Sequence, residues 1–190
     1  MSRSLARSNA HHRKALQKLP LGVSSNFRYW GPDKTIYARR GRGCRIWDID
    51  DNEYIDYRLG YGPSILGYAD PRVDAAARAG IEVGGVFALS TEREYDVARR
   101  ISKMVPAAEL VRFSNSGTEA VMAAVRLAKA YTGKDSHIIV EGGYHGVFDA
   151  VLWYVDFEDW DPSMGDPPVE ADSYGVPVMM KKLAYFTPLN

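Results

Sequence analysis

The sequence predicts an α/β fold, and two stretches predict it. The first is Leu110–His145, where a short apolar run, a capped helical pattern and a β-branched run follow one another. The second is the region before it, where Ile36–Arg40, Arg45–Asp48 and Tyr54–Tyr57 alternate apolar and polar residues, with turn formers Gly41-Arg-Gly43 and Asp50-Asp-Asn52 between them. That alternation predicts a small antiparallel meander.

Met1–Lys18 carries Arg3, Arg7, Arg13, Lys14 and Lys18, and the first acid is Asp33. It has no secretory apolar core; it reads as a basic helix, with an organelle transit segment as the alternative. Residues 19–28 bring Pro20, Gly22, Ser24 and Ser25 together, so a loop or extended arm follows. After the meander, Leu59–Gly67 is a Gly-rich apolar loop. Asp70 before Pro71 then opens a helix running through Val73–Gly80. Thr91–Val105 is another amphipathic helix, with Tyr95, Ala98, Ile101 and Val105 on one face, Ser90 or Thr91 at its cap and Pro106 at its end.

Leu110-Val-Arg-Phe113 reads as a strand. Ser116-Gly-Thr-Glu119 fits the Ser-x-x-Glu box that opens helices. Val121, Ala124, Val125 and Ala128 recur at helical spacing, and Gly133 stands at the expected stop. Ile138–Val140 is expected to be a buried strand. A strand–helix–strand unit favours a parallel pair with a right-handed crossover. Ligands of such sheets bind beyond the carboxyl ends of the strands, where Ser116–Thr118 and Gly142–Gly146 both fall. A helix start with free N–H groups, two hydroxyls and a Gly suits a phosphate. Taken on spacing alone, the same residues also fit an ordinary capping box and a Gly-rich turn. Ala150–Phe157 begins a further element. Asp156–Val178, with seven acids and four prolines, reads as an acidic irregular loop, and Lys181–Phe186 as a last strand.

Composition bounds the function. The 190 residues are 46% hydrophobic, enough for one sizeable core, and 24 basic residues balance 24 acidic ones. No nucleic-acid surface is expected from that balance. No apolar run has the length of a membrane span. The single Cys44 cannot form an internal disulfide, which fits a reducing compartment and a cytoplasmic protein. Asp48, Asp50, Asp51 and Glu53 lack the loop Gly and late Glu of an EF-hand. They are turn residues, and no metal site is expected.

Asn115-Ser-Gly-Thr-Glu-Ala120, Arg126-Leu-Ala-Lys-Ala-Tyr-Thr-Gly133 and Glu141-Gly-Gly-Tyr-His-Gly146 closely resemble the class III aminotransferases, most of all their glutamate-1-semialdehyde aminomutase branch. Two motifs agree in wording, order and separation. The resemblance implies a pyridoxal-phosphate enzyme of the aspartate-aminotransferase fold (fold type I). It makes Ser116, Gly117 and Thr118 phosphate ligands, Tyr144 the ring that stacks on the pyridine, and His145 a pocket neighbour. It makes Ser25 and Arg28 contacts of the substrate carboxylate, although Asn26-Phe27 replaces the usual Pro-Val. Tyr61 falls where an aromatic faces substrate, with core packing as the alternative. Ser163-Met-Gly165 falls where the branch has a mobile lid.

The resemblance further implies residues 1–68 as arm and small-domain meander, and 69–190 as the first part of a large domain whose sheet is incomplete. The family's Schiff-base lysine follows the Tyr-His-Gly motif at a distance. Only Lys181 and Lys182 follow it here, and neither has the family's lysine context. The expectation is therefore an N-terminal fragment with no catalytic lysine of its own. Its full-length parent is expected to be a homodimer transferring an amino group on an amino acid or amino-aldehyde, as transaminase or aminomutase. The alternatives are a non-catalytic cofactor- or phosphate-binding module and a decayed gene product.

Overall fold

The computed structural model describes residues 3–158 and 160–189, with Pro162 by its backbone alone. Asp159, one of the acids of the loop above, lies outside the described residues, as do Met1, Ser2 and Asn190. The chain divides into two compact units, residues 1–90 and 91–190. Among the described residues no helix is long and apolar enough to cross a membrane.

The first unit holds helix α1 (Ala6–Ala15), strands β1 (Ala38–Arg42), β2 (Arg45–Asp48) and β3 (Glu53–Ile55), and helix α2 (Pro71–Glu82). The strands form an antiparallel sheet in the order β1-β2-β3. Arg42 faces Arg45, so the first hairpin turns on Gly43-Cys44, with Gly43 in the left-handed region (φ 57°). Arg40 faces Trp47 across the ladder, and its guanidinium lies 3.7 Å from the indole centroid. The sheet is closed from outside by Tyr68. Its ring covers Gly41, where a Cβ would come within 2.5 Å of Tyr68 Cγ. Helix α2 starts where Asp70 accepts the Arg72 N–H at 2.9 Å, behind Pro71.

The centre of this unit is polar. Ser8, His12, Thr35 and Asp48 are buried. His12 is wedged between two carbonyls, with Nδ1 3.0 Å from Pro32 O and Nε2 3.1 Å from Leu21 O. Tyr37 donates its hydroxyl to Gly22 O at 2.8 Å. Gly22 (φ 68°) admits the imidazole, since a Cβ there would stand 2.4 Å from His12 Cδ2. Gly22→Ala combines left-handed strain with overpacking, and is expected to destabilise the protein by about 2–4 kcal/mol. A denaturation midpoint equal to wild type would contradict this packing.

The second unit holds α3 (Glu92–Met104), α4 (Gly117–Thr132), β4 (His137–Val140), β5 (Trp153–Val155), β6 (Val169–Ala171) and β7 (Ala184–Thr187). Thr91 N–H donates to Glu94 at 2.8 Å and opens α3. Gly133 (φ 67°) closes α4, its N–H donating to Lys129 O at 2.9 Å. β4 and β7 pair in parallel, and β5 and β6 antiparallel. Ile139, Trp153 and Ala184 form the buried cluster, with Val169, Ala171, Met180 and Phe186 against it.

Four expectations are corrected. Leu110–Phe113 is not a strand: none of its residues joins a ladder, Leu110 stands in a bend and is 95% exposed, and β4 takes β7 as its parallel neighbour instead. The expected crossover from 110–113 to β4 is therefore absent among the described residues. β4 is not buried on both faces, because Ile139 is buried while Ile138 is 69% exposed. Residues 156–178 are not wholly irregular, because Val169–Ala171 finds a partner in β5. Residues 181–183 belong to a 3₁₀ turn (Val178–Leu183), and the last strand begins at Ala184. Helices α2, α3 and α4 bury none of their residues. Their capping signals are local and suffice to set their ends, while their apolar faces are open.

Candidate functional site

Two groups of candidate residues occur, one in each unit. In the second unit the start of α4 carries the first group. Ser116 is extended (φ −146°) and its hydroxyl oxygen accepts the Glu119 N–H at 3.2 Å. The hydroxyl in turn lies 3.3 Å from Glu119 Oε2, so the carboxylate meets the Ser side chain rather than its backbone N–H. Gly117 and Thr118 stand at the first two helical positions, whose N–H groups have no acceptor within the helix. The partial positive charge of those groups favours an anion.

The loop after β4 comes up against this helix start. Val147 N–H donates to Thr118 Oγ1 at 3.3 Å. Gly146 is buried, with φ at 112°. A Cβ on it would lie 2.9 Å from both Thr118 Cα and Thr118 Oγ1. Only a residue without a side chain allows that approach. Gly143 does the same service for His145, which folds back over it toward Val140 O at 3.4 Å. Tyr144 and His145 line a recess of about 220 Å³ together with Trp153, Tyr154 and Phe186. Tyr144 is 68% exposed. Thr118, His145 and Tyr144 thus belong to one neighbourhood, and sequence reasoning missed Gly146 and Val147 as its joints. The Gly at the end of the Tyr-His-Gly motif was the signal.

In the first unit a groove of about 740 Å³ is lined by Val23, Ile36, Tyr37, Ile46, Tyr54 and Tyr57, and by Arg28 and Tyr61. Ser25 is not among its lining residues, although Ser24 is. Ser25 is half-buried in extended backbone, and its carbonyl accepts the Arg28 N–H at 2.9 Å. The Arg28 guanidinium lies 5.7 Å from the Tyr61 ring centroid, a cation–π arrangement. Among the described residues no carboxylate pairs with it. Tyr61 itself sits on a strained turn, since Leu59, Gly60 and Tyr61 all have positive φ (51°, 60° and 65°). Below it Tyr68 donates to Asp56 Oδ2 at 2.6 Å. That bond holds the Asp56 carboxyl below its ordinary value, and together with burial it raises the Tyr68 phenol. Tyr54, desolvated and bonded to Asp48, is pushed up to about 12. The groove therefore presents phenols, the guanidiniums of Arg28 and Arg58, and the carboxylates of Asp48 and Asp56, each of which accepts a hydrogen bond from a phenol. The guanidiniums are the groups suited to an anionic substituent. Among the described residues no group of three His, Cys, Asp or Glu is placed to hold a metal ion.

The family model described as aminotransferase class-III matches residues 29–156. A glutamate-1-semialdehyde 2,1-aminomutase from Methanothermobacter thermautotrophicus is 44% identical over 178 residues, which covers 94% of this chain and 40% of the relative. Among solved structures, an omega-transaminase from Sphaerobacter thermophilus superimposes with a TM-score of 0.86 at 34% identity, over 97% of this chain and 42% of that one. A transaminase with PLP bound gives 0.88 at 32% identity, over 100% of this chain and 43% of that one. The chain thus spans about 40% of the length of the relatives it matches.

Proposed function

The chain belongs to the aminotransferase class-III family, and from that premise we propose that it serves pyridoxal-phosphate-dependent amino-group transfer on an amino acid or amino-aldehyde. Its fold is that of the N-terminal part of the fold-type-I transferases. In this reading residues 1–68 are the arm and small-domain meander, and 69–190 begin the cofactor-binding domain. The protein acts as a homodimer in the cytoplasm, and neither Lys181 nor Lys182 is assigned the lysine amine of the reaction. The whole protein's activity is either transaminase or aminomutase.

One observation carries the cofactor assignment: Gly146 and the Val147 N–H bring the Tyr144-His145 loop onto Thr118 at the open start of α4. A phosphate group fits that start, which offers the Gly117 and Thr118 N–H groups and two hydroxyls, and Tyr144 supplies an aromatic ring on the adjoining loop for a flat cofactor. When bound, pyridoxal phosphate supplies an electron sink for a carbanion beside an amino-bearing carbon. The residues of this chain bind and orient. Thr118 donates its hydroxyl hydrogen to the phosphate, Ser116 does the same on turning from Glu119 Oε2, and the helix start offsets the charge. Tyr144 stacks on the ring, with His145 beside it. Arg28 takes the substrate carboxylate with its paired N–H donors, Ser25 assists, and Tyr61 walls the substrate.

Ser116→Ala and Thr118→Ala in the full-length protein are each expected to weaken pyridoxal phosphate binding about threefold to tenfold, the net worth of one ordinary hydrogen bond. Equilibrium dialysis against pyridoxal phosphate and against unphosphorylated pyridoxal checks this, since only the phosphorylated form should lose affinity. Unchanged affinity in both variants would remove the phosphate assignment. Cofactor binding by a full-length protein that transfers no amino group would favour the binding-module alternative.

A further inference from the structure

Arg58 joins the two segments that carry Arg28 and Tyr61, and it has no role in the binding of cofactor or substrate proposed for them. Its Nη1 donates to Phe27 O at 2.9 Å and to the Tyr61 hydroxyl oxygen at 2.7 Å. Tyr61 donates its own hydroxyl hydrogen to the same Phe27 carbonyl at 2.8 Å. The three atoms close a triangle between the arm and the turn after β3. The guanidinium is held between two aromatic rings, 5.1 Å from the Trp30 centroid and 5.5 Å from that of Tyr61.

The base of Arg58 is fixed as well. Its N–H donates to Asp56 Oδ1 at 2.8 Å, and the other carboxylate oxygen takes the Tyr68 hydroxyl. Tyr68 in turn covers Gly41 of β1. A continuous path therefore runs from the meander through Tyr68, Asp56 and Arg58 to the carbonyl immediately before Arg28. The turn it holds is costly: Leu59 and Tyr61 are non-glycine residues in the left-handed region, each about 1–2 kcal/mol above ordinary backbone. Such a turn persists only where the surrounding structure fixes it.

We propose that Arg58 is a positioning residue: by clamping the Phe27 carbonyl to the Tyr61 hydroxyl it fixes the arm so that the Arg28 guanidinium stays over the Tyr61 ring, where it meets the substrate carboxylate. This rests on the reading of Arg28 as the carboxylate ligand. A lysine does not replace Arg58, because both bonds come from Nη1 at the end of a planar guanidinium that lies over the Trp30 and Tyr61 rings, and a compact ammonium has no such plane to place against them.

The test uses the full-length protein with Arg58→Ala, Arg58→Lys and Arg28→Ala. The amino donors are alanine and isopropylamine, in which a methyl group replaces the carboxylate. Arg58→Ala is expected to raise KM for alanine about tenfold with kcat changed less than twofold, and to lower the alanine-to-isopropylamine ratio of kcat/KM about tenfold. Arg58→Lys should not restore the ratio. Backbone amide exchange in residues 26–29 should quicken about tenfold, with residues 45–55 unchanged.

Wild-type exchange in 26–29 together with a wild-type donor ratio would overturn the proposal. Quickened exchange throughout the meander would overturn it too, since Arg58 would then be a general fold residue. If Arg28→Ala leaves KM for alanine unchanged, the carboxylate reading fails. Exchange at 26–29 still decides whether Arg58 clamps the arm.

Discussion

Gly146→Ala in the full-length protein is expected to lower pyridoxal phosphate affinity more than tenfold and to cost about 3 kcal/mol of stability. The stability figure adds the strain of a side chain at an unfavourable positive φ to the cost of overpacking. The Gly146 backbone is at φ 112°, and the new methyl would stand 2.9 Å from the Thr118 Cα. That atom belongs to the helix backbone and cannot rotate away. The loop must lift, the Val147 N–H must leave Thr118 Oγ1, and Tyr144 and His145 must move with it. The affinity loss follows because both halves of the proposed seat, the helix start and the stacking ring, depend on this one approach. A paired variant sharpens the test. Adding Thr118→Ala removes the hydroxyl but leaves the helix backbone where it is, so the clash persists and the loop should not return. Equilibrium dialysis and urea denaturation give both quantities, and wild-type affinity in Gly146→Ala would mean that the close approach does not shape the site.

What the sequence revealed, and what it hid, divides by the range of the interaction. Helix ends were legible because their signals are neighbours in the chain. Asp70-Pro71, Thr91 with Glu94, Ser116 with Glu119, and Gly133 set the helices to within two residues or so of their observed ends. Strands were less legible, because a strand exists only with its partner. Arg45–Asp48 was found, since the meander is local. Leu110–Phe113 has the composition of a strand and lacks a ladder. Val169–Ala171 has only three residues to announce it and became a strand because Trp153–Val155 lies beside it.

The candidate site divides the same way. Ser116, Gly117 and Thr118 were visible as a motif, and Tyr144 and His145 as another. The hydrogen bond that joins them spans 29 positions and uses a backbone N–H that any residue but proline would supply. Arg58 was invisible for the same reason, since one of its two acceptors is a backbone carbonyl 31 positions away. Side-chain identity carries no signal for a partner that is main chain.

Asp50 carries the other large expected effect, and it too joins distant segments. Helix α1 has no acid in its first turn, and Leu5 at its cap position makes no side-chain cap bond. Asp50, from the turn between β2 and β3, fills that role from outside the helix. One carboxylate oxygen accepts the Arg7 N–H at 2.7 Å, and the other accepts the Ser8 N–H at 2.8 Å and the Ser8 hydroxyl at 2.6 Å. Ser8 is fully buried, so the loss of these bonds is not made good by water. Asp50→Ala is expected to destabilise the protein by about 2–4 kcal/mol, the cost of a lost helix cap plus a stranded buried donor. Asp50→Asn keeps an acceptor and should cost about half as much.

The two variants also fix the sign of a pH dependence. Burial alone would raise the Asp50 carboxyl, but the bonds from Ser8 and Arg7 outweigh it and hold the group below its ordinary 3.8. A carboxyl lowered in the folded state contributes stability above the unfolded value, and that contribution is lost as pH falls through the folded value. The gap between wild type and Asp50→Asn should therefore be widest at neutral pH, begin to narrow below about pH 4, and close as the folded carboxyl takes up its proton. Asp56, lowered by its bond from Tyr68, titrates alike in both proteins and drops out of the difference. Urea denaturation of the pair from pH 7 down to pH 2.5 measures the gap. A gap that stays constant over that range would mean that the charge on Asp50 does not hold α1 to the meander.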